Sequence, residues 1–371
     1  MTRRKFITLT GVTILAAGGV YYLTTDKSNF VRADIKDDPS GKIQLREDER
    51  AILFLASLAP SGHNTQPWFV KYTEPYHWII CNDKSKWLPG VDPTQRETIL
   101  SIGAFLQNLE YAAINFGYAC QFTLLATSNQ DEEIMKVKLI KSSGSSKHDI
   151  EQIKNRRTIR SDYLSDALKK DDIAYLINEE NDFLQYLPNT AKEFQLLNEQ
   201  TIEANRIQAY RDDAEKELAD WIRFSNKDAE MHCDGLTPAS MEIEGITAWY
   251  LRNFYNKADV MKNSFREKSI DSVKKQVSVS AGWMLITSRD NSIAALLETG
   301  KRFQRLLLKI RERNIAIHPM TQILEEDTIR QTFYSSVGIK DNVQFILRTG
   351  YVNNYPKPVS LRRSVDSFVR T

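Results

Sequence analysis

The sequence is poor in the residues that build disulfide scaffolds and metal centres. Its 371 residues include three cysteines and five histidines. An odd number of widely spaced cysteines fits neither a disulfide framework nor a C-x-x-C motif, and no H-E-x-x-H motif is present. We therefore expect no metal site, and we assign no catalytic role to Cys81, Cys120 or Cys233.

The sequence also lacks an excess of charge and glycine-rich nucleotide loops. Fifty Lys and Arg residues balance 48 Asp and Glu residues, which leaves a formal charge of +2. Because nucleic-acid binding proteins carry a strong positive excess, we expect no nucleic-acid partner. The absence of G-x-G-x-x-G and G-x-x-x-x-G-K-[ST] argues against Rossmann dinucleotide binding and P-loop phosphoryl transfer. The hydrophobic content of 42% is still sufficient for a large core.

The first 28 residues are predicted to be an export signal or anchor, separate from the fold. Arg3 and Arg4 precede a weakly apolar run, a pattern that resembles a twin-arginine signal. The run, residues 6–23, is barely long enough to cross a bilayer, so an uncleaved membrane anchor is the alternative. We expect a periplasmic or other extracytoplasmic location and a linker over residues 29–47.

The remaining chain is predicted to be α+β and rich in helices. Apolar spacing predicts helices over residues 49–59, 92–116, 171–178, 190–224 and 248–256. Asp92 and Pro93 are a typical N-cap and first helical residue. Two β-rich runs separated by a turn, residues 69–72 and 77–81, predict a hairpin.

Two long helical segments indicate a weak internal repeat. Aligning Gly103 with Gly300, an offset of 197 residues, also places Gln107 on Gln304. Each segment follows an apolar run and precedes a strand-like run, so we expect a duplicated fold. The predicted units are a first half over residues 48–150 and a second half over 151–371, with a helical insertion around 165–260.

The segment A-P-S-G-H-N-T-Q-P-W, residues 59–68, is dense in polar residues that periodicity does not explain. Its proline and glycine favour a rigid turn that exposes backbone N–H groups. Asn64 and Gln66 each offer a donor and an acceptor, which suits a flat heteroaromatic ligand. The alternative is a loop whose Asn and Gln side chains bind its own backbone.

The segment N-R-R-T-I-R-S-D-Y, residues 155–163, carries two arginines and a hydroxyl at alternate positions. Arg156, Thr158 and Arg160 can bind a phosphate dianion from one side of the segment. The alternative is a basic surface turn. A second basic pair, Arg362 and Arg363, lies near the C-terminus.

These motifs and their order resemble the nitroreductase superfamily, whose members bind FMN. N-R-R-T-I-R is similar to its R-x-S-x-R phosphate motif, with Thr158 in place of serine, and H-P-M-T-Q is similar to its P-x-x-Q loop. The twin-arginine-like start and the repeat are most similar to the Acg-type branch. The resemblance covers about residues 48–366 and implies an α+β nitroreductase-like fold, duplicated as a single-chain pseudo-dimer.

The resemblance also implies an FMN site built from both halves. The implied cofactor-binding residues are Pro60, Ser61, Asn64, Gln66, Arg156, Thr158, Arg160, Pro319, Met320, Thr321, Arg362 and Arg363. The first four would line the isoalloxazine and ribityl groups, the arginines and Thr158 would hold the phosphate, and residues 319–321 would direct backbone N–H groups toward flavin N5. Gln322 either joins that loop or caps the next helix. No catalytic side chain is assigned, because the flavin performs the redox chemistry.

A second FMN site is not expected. The first half begins with L-R-E-D-E-R, which would set Glu47, Asp48 and Glu49 against a phosphate. In the second half T-P-A-S-M-E-I-E-G, residues 237–245, lies where the first loop should recur and lacks its motif. We therefore predict one FMN per chain and a monomeric pseudo-dimer.

The resulting hypothesis is an FMN-binding oxidoreductase of nitroreductase type. It would pass electrons from a reduced nicotinamide, NAD(P)H, or another donor to a quinone, nitroaromatic or similar acceptor, so its partners are small molecules. The first alternative is an FMN-sequestering or storage protein whose insertion forms a lid. The second is a protein that keeps the fold without the cofactor.

Overall fold

The computed structural model describes residues 43–142, 148, 150–178 and 182–371. The predicted signal or anchor over residues 1–28, and most of the predicted linker, lie outside the described residues. Within the described ranges, no helix is long and apolar enough to cross a membrane. Helices and two sheets together confirm the α+β class.

Helices make up most of the regular structure. The α-helices are α1 (Glu47–Ser57), α2 (Arg96–Asn115), α3 (Ile150–Asn155), α4 (Lys170–Ile177), α5 (Lys192–Tyr210), α6 (Asp212–Trp221), α7 (Asn226–His232), α8 (Gly245–Phe254), α9 (Lys257–Val260), α10 (Asn263–Ser278), α11 (Ile293–Lys309), α12 (Gln322–Glu325), α13 (Asp327–Val337) and α14 (Val365–Phe368). The strands are β1 (Trp68–Glu74), β2 (His77–Asn82), β3 (Tyr118–Leu124), β4 (Glu133–Lys141), β5 (Leu184–Pro188), β6 (Gly282–Ser288), β7 (Ile315–Pro319), β8 (Asn342–Tyr351) and β9 (Val369–Arg370).

The two sheets have the same strand order. The first runs β3-β4-β2-β1-β9, and the second, taken from its β7 edge, runs β7-β8-β6-β5. The first four strands of each are antiparallel to their neighbours, whereas β9 is parallel to β1. In both sheets one long helix, α2 or α11, lies between the second and third strands in the chain. The predicted hairpin of residues 69–72 and 77–81 is confirmed as β1 and β2.

The two long helices, α2 and α11, pack against each other at Gly103 and Gly300. A Cβ atom on Gly103 would lie 2.2 Å from the Leu297 carbonyl oxygen, and one on Gly300 would lie 2.0 Å from the Leu100 carbonyl oxygen. Only glycine allows backbones to approach this closely. The contacts are reciprocal, because Leu100 and Leu297 are also separated by the offset of 197 residues that the sequence repeat predicts.

Polar contacts across the same helix pair are reciprocal as well. Gln304 Nε2 donates to Asn108 Oδ1 at 2.7 Å, and Arg305 Nη1 donates to Gln107 Oε1 at 2.8 Å. At the offset of 197 residues, Gln107 corresponds to Gln304 and Asn108 to Arg305. Each helix therefore offers the same pair of positions to the other.

The helical insertion lies later in the chain than expected. Helices α5 to α10, residues 192–278, all lie between β5 and β6, whereas the sequence placed the insertion around 165–260. The single helix predicted over 190–224 is broken at Arg211, whose backbone is extended (φ −88°, ψ 110°). Apolar spacing continues across this break, so periodicity alone does not reveal it.

The predicted start of α2 at Asp92 and Pro93 is wrong by a few residues. The helix begins at Arg96, since Gln95 before it is left-handed (φ 54°). The Asp92 carboxylate still accepts the helical N–H of Thr98 at 3.0 Å. Asp92 thus caps the helix across a turn.

Candidate functional site

The loop between α1 and β1 holds a strained backbone. His63, Asn64 and Gln66 have φ values of 44°, 54° and 54°, in the left-handed region that non-glycine residues seldom adopt. The Ser61 hydroxyl accepts the N–H of Gln66 at 3.0 Å and so closes the loop on itself. Such strain persists only where surrounding contacts over-determine it, and it clusters at functional sites.

Two arginines from the C-terminal segment supply those contacts. Arg362 caps α1 by donating to the carbonyls of Ser57, Leu58 and Ala59 at 2.7, 3.1 and 3.0 Å. Its Nη1 also donates to Asn64 Oδ1 at 2.9 Å. Arg363 is 7% exposed, and its Nη2 donates to the carbonyls at both ends of the Gln66–Trp68 segment, at 2.6 and 2.8 Å.

The amides of the loop also bind backbone groups. Asn64 Nδ2 donates to the carbonyls of Gly235 and Leu361, each at 3.1 Å, and Gln66 Nε2 donates to that of Cys233 at 3.0 Å. This arrangement is close to the alternative in which Asn and Gln bind backbone. The carbonyls come from distant segments, however, so the amides join the loop to the insertion. For Asn64, Gln66, Arg362 and Arg363, direct contact with a cofactor stays a prediction.

The predicted arginine motif meets the base of this loop. Arg156, which is 6% exposed, donates through Nε and Nη2 to the Leu58 carbonyl, each at 3.3 Å. Arg160 Nη1 donates to the Ser240 carbonyl at 2.7 Å, and burial lowers the pKa of Arg160. Half-buried Thr158 lies between the two arginines in the chain. Pro60 and Ser61, also half-buried, begin the facing loop.

The segment T-P-A-S-M-E-I-E-G covers the arginine motif. The Glu242 carboxylate accepts the N–H of Arg160 at 3.0 Å, the Ser161 hydroxyl at 2.6 Å and Arg157 Nη2 at 3.3 Å. The segment therefore belongs to the insertion, and the expectation that it stands where the first loop recurs is wrong. The insertion carries it to the other half's loop instead.

The acidic residues of the first half bind within that half. Glu49 is fully buried and accepts the N–H groups of Tyr76 at 2.7 Å and Arg46 at 3.1 Å. Asp48 accepts the Tyr118 hydroxyl at 2.7 Å. These carboxylates position the β1–β2 turn.

The segment after β7 lies near both motifs. Met320 donates its N–H to the Ile346 carbonyl at 2.8 Å, so the sheet uses this group. Pro319 and Thr321 are half-buried. Thr321 precedes the short helix α12, and Gln322, its first residue, has a buried Oε1 without a hydrogen-bond partner. The structure therefore does not make Gln322 a side-chain cap.

Two neutral histidines line the same region. Burial lowers the pKa of His63 to about 4 and that of His318 well below its usual value, and the nearby Arg160 charge lowers both further. The Nδ1 atoms of both rings are buried without a partner. Both side chains are still partly in contact with solvent, as expected for the wall of a cleft. They can therefore donate or accept a hydrogen bond without a charge.

Arg348 supports this wall from β8. It pairs with His318 in the sheet register, stacks on the Tyr163 ring at 4.0 Å and donates to the Arg160 carbonyl at 2.6 Å. It also donates to the Gln276 carbonyl of α10. His63, His318, Glu242 and Arg348 were not among the predicted site residues. The first three lie in segments that the sequence singled out, residues 59–68, 318–322 and 237–245, whereas Arg348 carried no signal.

Other features of the described chain offer no competing chemistry. Among the residues described, no group of three or more His, Cys, Asp or Glu side chains could hold a metal ion. A shallow surface depression lined by Phe183, Ile286 and Arg302 shares no residue with the predicted site.

The comparisons with known proteins support the resemblance. No family model matches the sequence. The chain is 23% identical over 336 residues to a Mycobacterium tuberculosis protein named as the NAD(P)H nitroreductase Acg, covering 85% of this chain and 93% of that protein. The resemblance to nitroreductases of the Acg type is thereby confirmed.

Solved structures show only partial likeness. One is a nitroreductase-like family protein from Bacillus cereus, with TM-score 0.31 and 11% identity, covering 62% of this chain and 98% of that one. Another is the FMN-dependent nitroreductase NfnB from Mycobacterium smegmatis in complex with NADPH, with TM-score 0.34 and 12% identity, covering 59% and 96%. TM-scores this low do not establish a common arrangement of the whole chain.

Proposed function

We propose that this chain is an FMN-dependent oxidoreductase of the nitroreductase type. It takes electrons from a reduced nicotinamide or another donor and passes them to a quinone, nitroaromatic or similar acceptor. The observation that carries the proposal is the meeting of the two motifs, because Arg156 of one half donates to Leu58 at the base of the other half's loop. The name of the Mycobacterium tuberculosis relative supports the same chemistry.

The residues at this meeting point fit FMN. Arg156 and Arg160 supply positive charge for a phosphate, and buried polar atoms on His63, His318 and Gln322 have no hydrogen-bond partner. Buried polar atoms without partners are rare in folded proteins and indicate a ligand or water. FMN offers a phosphate to the arginines and ring nitrogens and oxygens to the others. When bound, the flavin supplies the hydride chemistry.

The protein's own task is placement and electrostatics. Arg156 and Arg160 would hold the phosphate, and the loop at residues 60–64 would support the ring system. The neutral imidazoles would orient polar ring atoms without adding charge. The depressed pKa of His63, about 4, keeps that ring neutral across the physiological range.

We further propose one such site per chain in a pseudo-dimer. The matching strand orders support a duplication, as do the reciprocal contacts at Gly103 and Gly300. The described start of the first half has no equivalent of the arginine motif. Glu49 and Asp48 lie there instead and bind tyrosines and backbone. We expect a monomer with a flavin-to-chain ratio of one, and a measured ratio of two would contradict this.

Flavin storage is the second candidate, and one observation favours it. Glu242, which lies on the insertion, binds the arginine motif at Arg157 and Arg160. Anaerobic mixing with NADPH separates the two functions. Rapid bleaching of bound flavin and reoxidation by a quinone support the enzyme, whereas tight flavin binding without bleaching supports storage.

Export is proposed for the N-terminal 28 residues. The adjacent Arg3 and Arg4 support a twin-arginine route, which carries folded cargo and suits a cofactor loaded in the cytoplasm. The same segment, uncleaved, would anchor the protein to the membrane. Fractionation of cells expressing Arg3→Lys/Arg4→Lys tests this, because retention of that variant in the cytoplasm is the expected result.

The main test is the visible spectrum of the protein after incubation with FMN and removal of free flavin. We expect oxidised-flavin bands at a ratio of about one per chain. Arg160→Ala should lower flavin retention at least tenfold, because it removes one phosphate donor. Arg157→Ala is the matched control, since it removes the same charge from the same segment but not from the predicted phosphate set.

Three outcomes are informative. Loss of flavin in Arg160→Ala alone supports the proposed site. Equal retention in both variants would place the phosphate elsewhere. A colourless wild-type protein that keeps its folded circular dichroism spectrum would contradict the proposed function and leave the fold as a scaffold.

A further inference from the structure

Two carboxyl groups beside the candidate site share one hydroxyl group. Thr321 Oγ1 lies 3.0 Å from Glu325 Oε1 and 3.3 Å from Glu97 Oε1. Glu97 comes from the first turn of α2 and Glu325 from α12, so the three residues join the two halves. A Cβ atom placed on Gly62 would lie 3.7 Å from Glu97 Oε2. Glu97 therefore reaches the loop that carries His63.

The number of available protons indicates which of the three residues, Glu325, Thr321 and Glu97, is protonated. A threonine hydroxyl has one proton and can donate to only one carboxylate. The two short contacts are both satisfied if Glu325 is protonated, donates to Thr321, and Thr321 donates to Glu97. The other Glu325 oxygen, Oε2, accepts Gln208 Nε2 at 2.6 Å and needs no proton.

The surroundings of Glu325 favour its neutral form. Burial raises its pKa well above the usual range, and the negative charge of Glu97 raises it further. Three groups oppose them, since the hydrogen bond from Gln208, the Arg96 charge and a hydrogen bond from Thr321 lower the pKa of Glu325. Arg96 also pairs with Glu97 at 2.8 Å.

A polar stripe on α5 leads to the same group. Asn198, Thr201, Asn205 and Gln208 recur at helical spacing on one face. Thr201 is fully buried and Asn205 is 9% exposed, yet Thr201 Oγ1 and Asn205 Oδ1 have no hydrogen-bond partner. Buried polar atoms of this kind are commonly satisfied by internal water. Water along this stripe would reach the neighbourhood of Glu325, because Gln208 on the same face donates to Glu325 Oε2.

We propose that Glu325, Thr321 and Glu97 form a proton relay that serves the candidate site and is refilled along the polar face of α5. This inference rests on the proposed function, because it assigns the proton that two-electron reduction requires. Glu97 and Glu325 lie outside the predicted cofactor-binding residues, whereas Thr321 is one of them. Glu97 would be the group that meets the acceptor, and Glu325 and Thr321 act through it.

The relay supplies the proton that reduction of a quinone to a hydroquinone requires. The quinone takes up one hydride, supplied through the cofactor from a reduced nicotinamide, and one proton. The O–H bond of Glu325 breaks and its proton passes to Thr321, while the Thr321 proton passes to Glu97. Glu97 then donates to the quinone oxygen, and one proton from bulk solvent, carried by water along the polar face of α5, reprotonates Glu325.

The test compares two acceptors in the same flavin-loaded protein. A benzoquinone requires protons when it is reduced by two electrons, whereas ferricyanide takes one electron and no proton. The measured quantity is the kcat with benzoquinone divided by the kcat with ferricyanide. Glu325→Gln should lower this ratio at least tenfold, because general acid catalysis contributes about 10²-fold or more. Thr321→Val should give the same loss, and Thr321→Ser should restore the ratio by returning the hydroxyl.

Glu326→Gln is the matched control. Glu326 adjoins Glu325 in the chain and is buried, but it pairs with Arg211 at 3.2 Å rather than with Thr321. Its ratio should equal that of the wild type. A ratio unchanged in Glu325→Gln, or lowered equally in Glu326→Gln, would overturn the relay.

Infrared spectroscopy of the flavin-free protein tests the proton state separately. Wild type should show, at neutral pH, a carboxylic acid C=O band that shifts in D₂O. Part of that band should be lost in Glu325→Gln, and the rest comes from Asp92 and Glu215, whose pKa values burial raises to about 7. A spectrum in which that variant keeps the whole band would overturn the assignment. If wild type binds no flavin, the proposed function fails while this measurement still decides the protonation of Glu325.

Discussion

The two sheets differ most at one hairpin. In the first sheet, β1 and β2 are joined by a tight turn at Pro75 and Tyr76, and Glu49 accepts the Tyr76 N–H at 2.7 Å. In the second, the corresponding strands β5 and β6 are separated by residues 189–281, which form six helices. The same strand order thus carries either a closed turn or a large insertion.

This difference determines which side of the molecule has a candidate site. The insertion brings Ser240 and Glu242 to the arginine motif and Gln208 to Glu325. The first half contributes the loop at residues 59–68. The short turn between β1 and β2 does not supply residues to a site as the insertion between β5 and β6 does. Two sheets with the same strand order therefore differ in what they contribute to the candidate site because one strand connection carries an insertion. Exposed turns tolerate such insertions well.

The largest expected effect comes from removing the C-terminal segment that only the first sheet receives. Ending the chain at Ser360 deletes Arg362, Arg363 and the fully buried Phe368. Loss of a buried Phe alone costs about 3–5 kcal/mol, and the α1 carbonyls lose their donors as well. We expect at least that loss in the free energy of unfolding in urea.

Deleting only Thr371, which is exposed, is the control and should change stability by less than about 0.5 kcal/mol. Equal stability of the two truncated chains would show that the C-terminal segment does not support the loop. It would also weaken the distinction between the two sheets.

A second prediction tests the contact at which the two halves are most alike. Gly300→Ala places a Cβ atom 2.0 Å from a backbone oxygen, so α2 and α11 must separate. We expect a loss of about 3 kcal/mol, measured by urea unfolding. Gly338→Ala is the reference, because a Cβ atom there meets nothing within 4 Å and only the left-handed φ of 69° opposes it. Its loss should be about 1 kcal/mol, and equal losses would contradict close helix packing.

The smallest effect concerns pH and the side of the molecule that carries the insertion. Glu325 has a raised pKa in the fold, so folding takes up a proton above the pKa of the unfolded chain. Ionisation of Glu325 does not change the free energy of unfolding in acid. Its contribution to that free energy becomes increasingly unfavourable as pH rises toward the pKa of the folded state. Stability of Glu325→Gln relative to wild type should therefore rise from about pH 5 to pH 6, by up to about 1.4 kcal/mol.

Comparison with the variant isolates Glu325 from other groups. Burial also raises the pKa values of Asp92 and Glu215 to about 7, and they give wild type and variant the same slope. A stability difference that stays constant with pH would show that Glu325 is ionised in the folded protein.

Local elements were predictable where short-range rules dominate. The hairpin of β1 and β2 and the helix α1 lie close to their predicted bounds, because alternation and helical spacing act over a few residues. The break at Arg211 and the left-handed Gln95 were not predictable, since distant contacts decide them. The parallel pairing of β9 with β1 joins residues about 300 positions apart and leaves no local signal.

The sequence by itself determined the motifs, the α+β class and the offset between Gly103 and Gly300, because these follow from residue type and spacing. Tertiary structure alone decided that Arg362 and Arg363 hold the first loop and that Glu242 lies on the arginine motif. It also decided that Glu97 and Glu325 share Thr321. Each of these is a hydrogen bond between segments far apart in the chain, and its geometry exists only once both sheets and the insertion have packed.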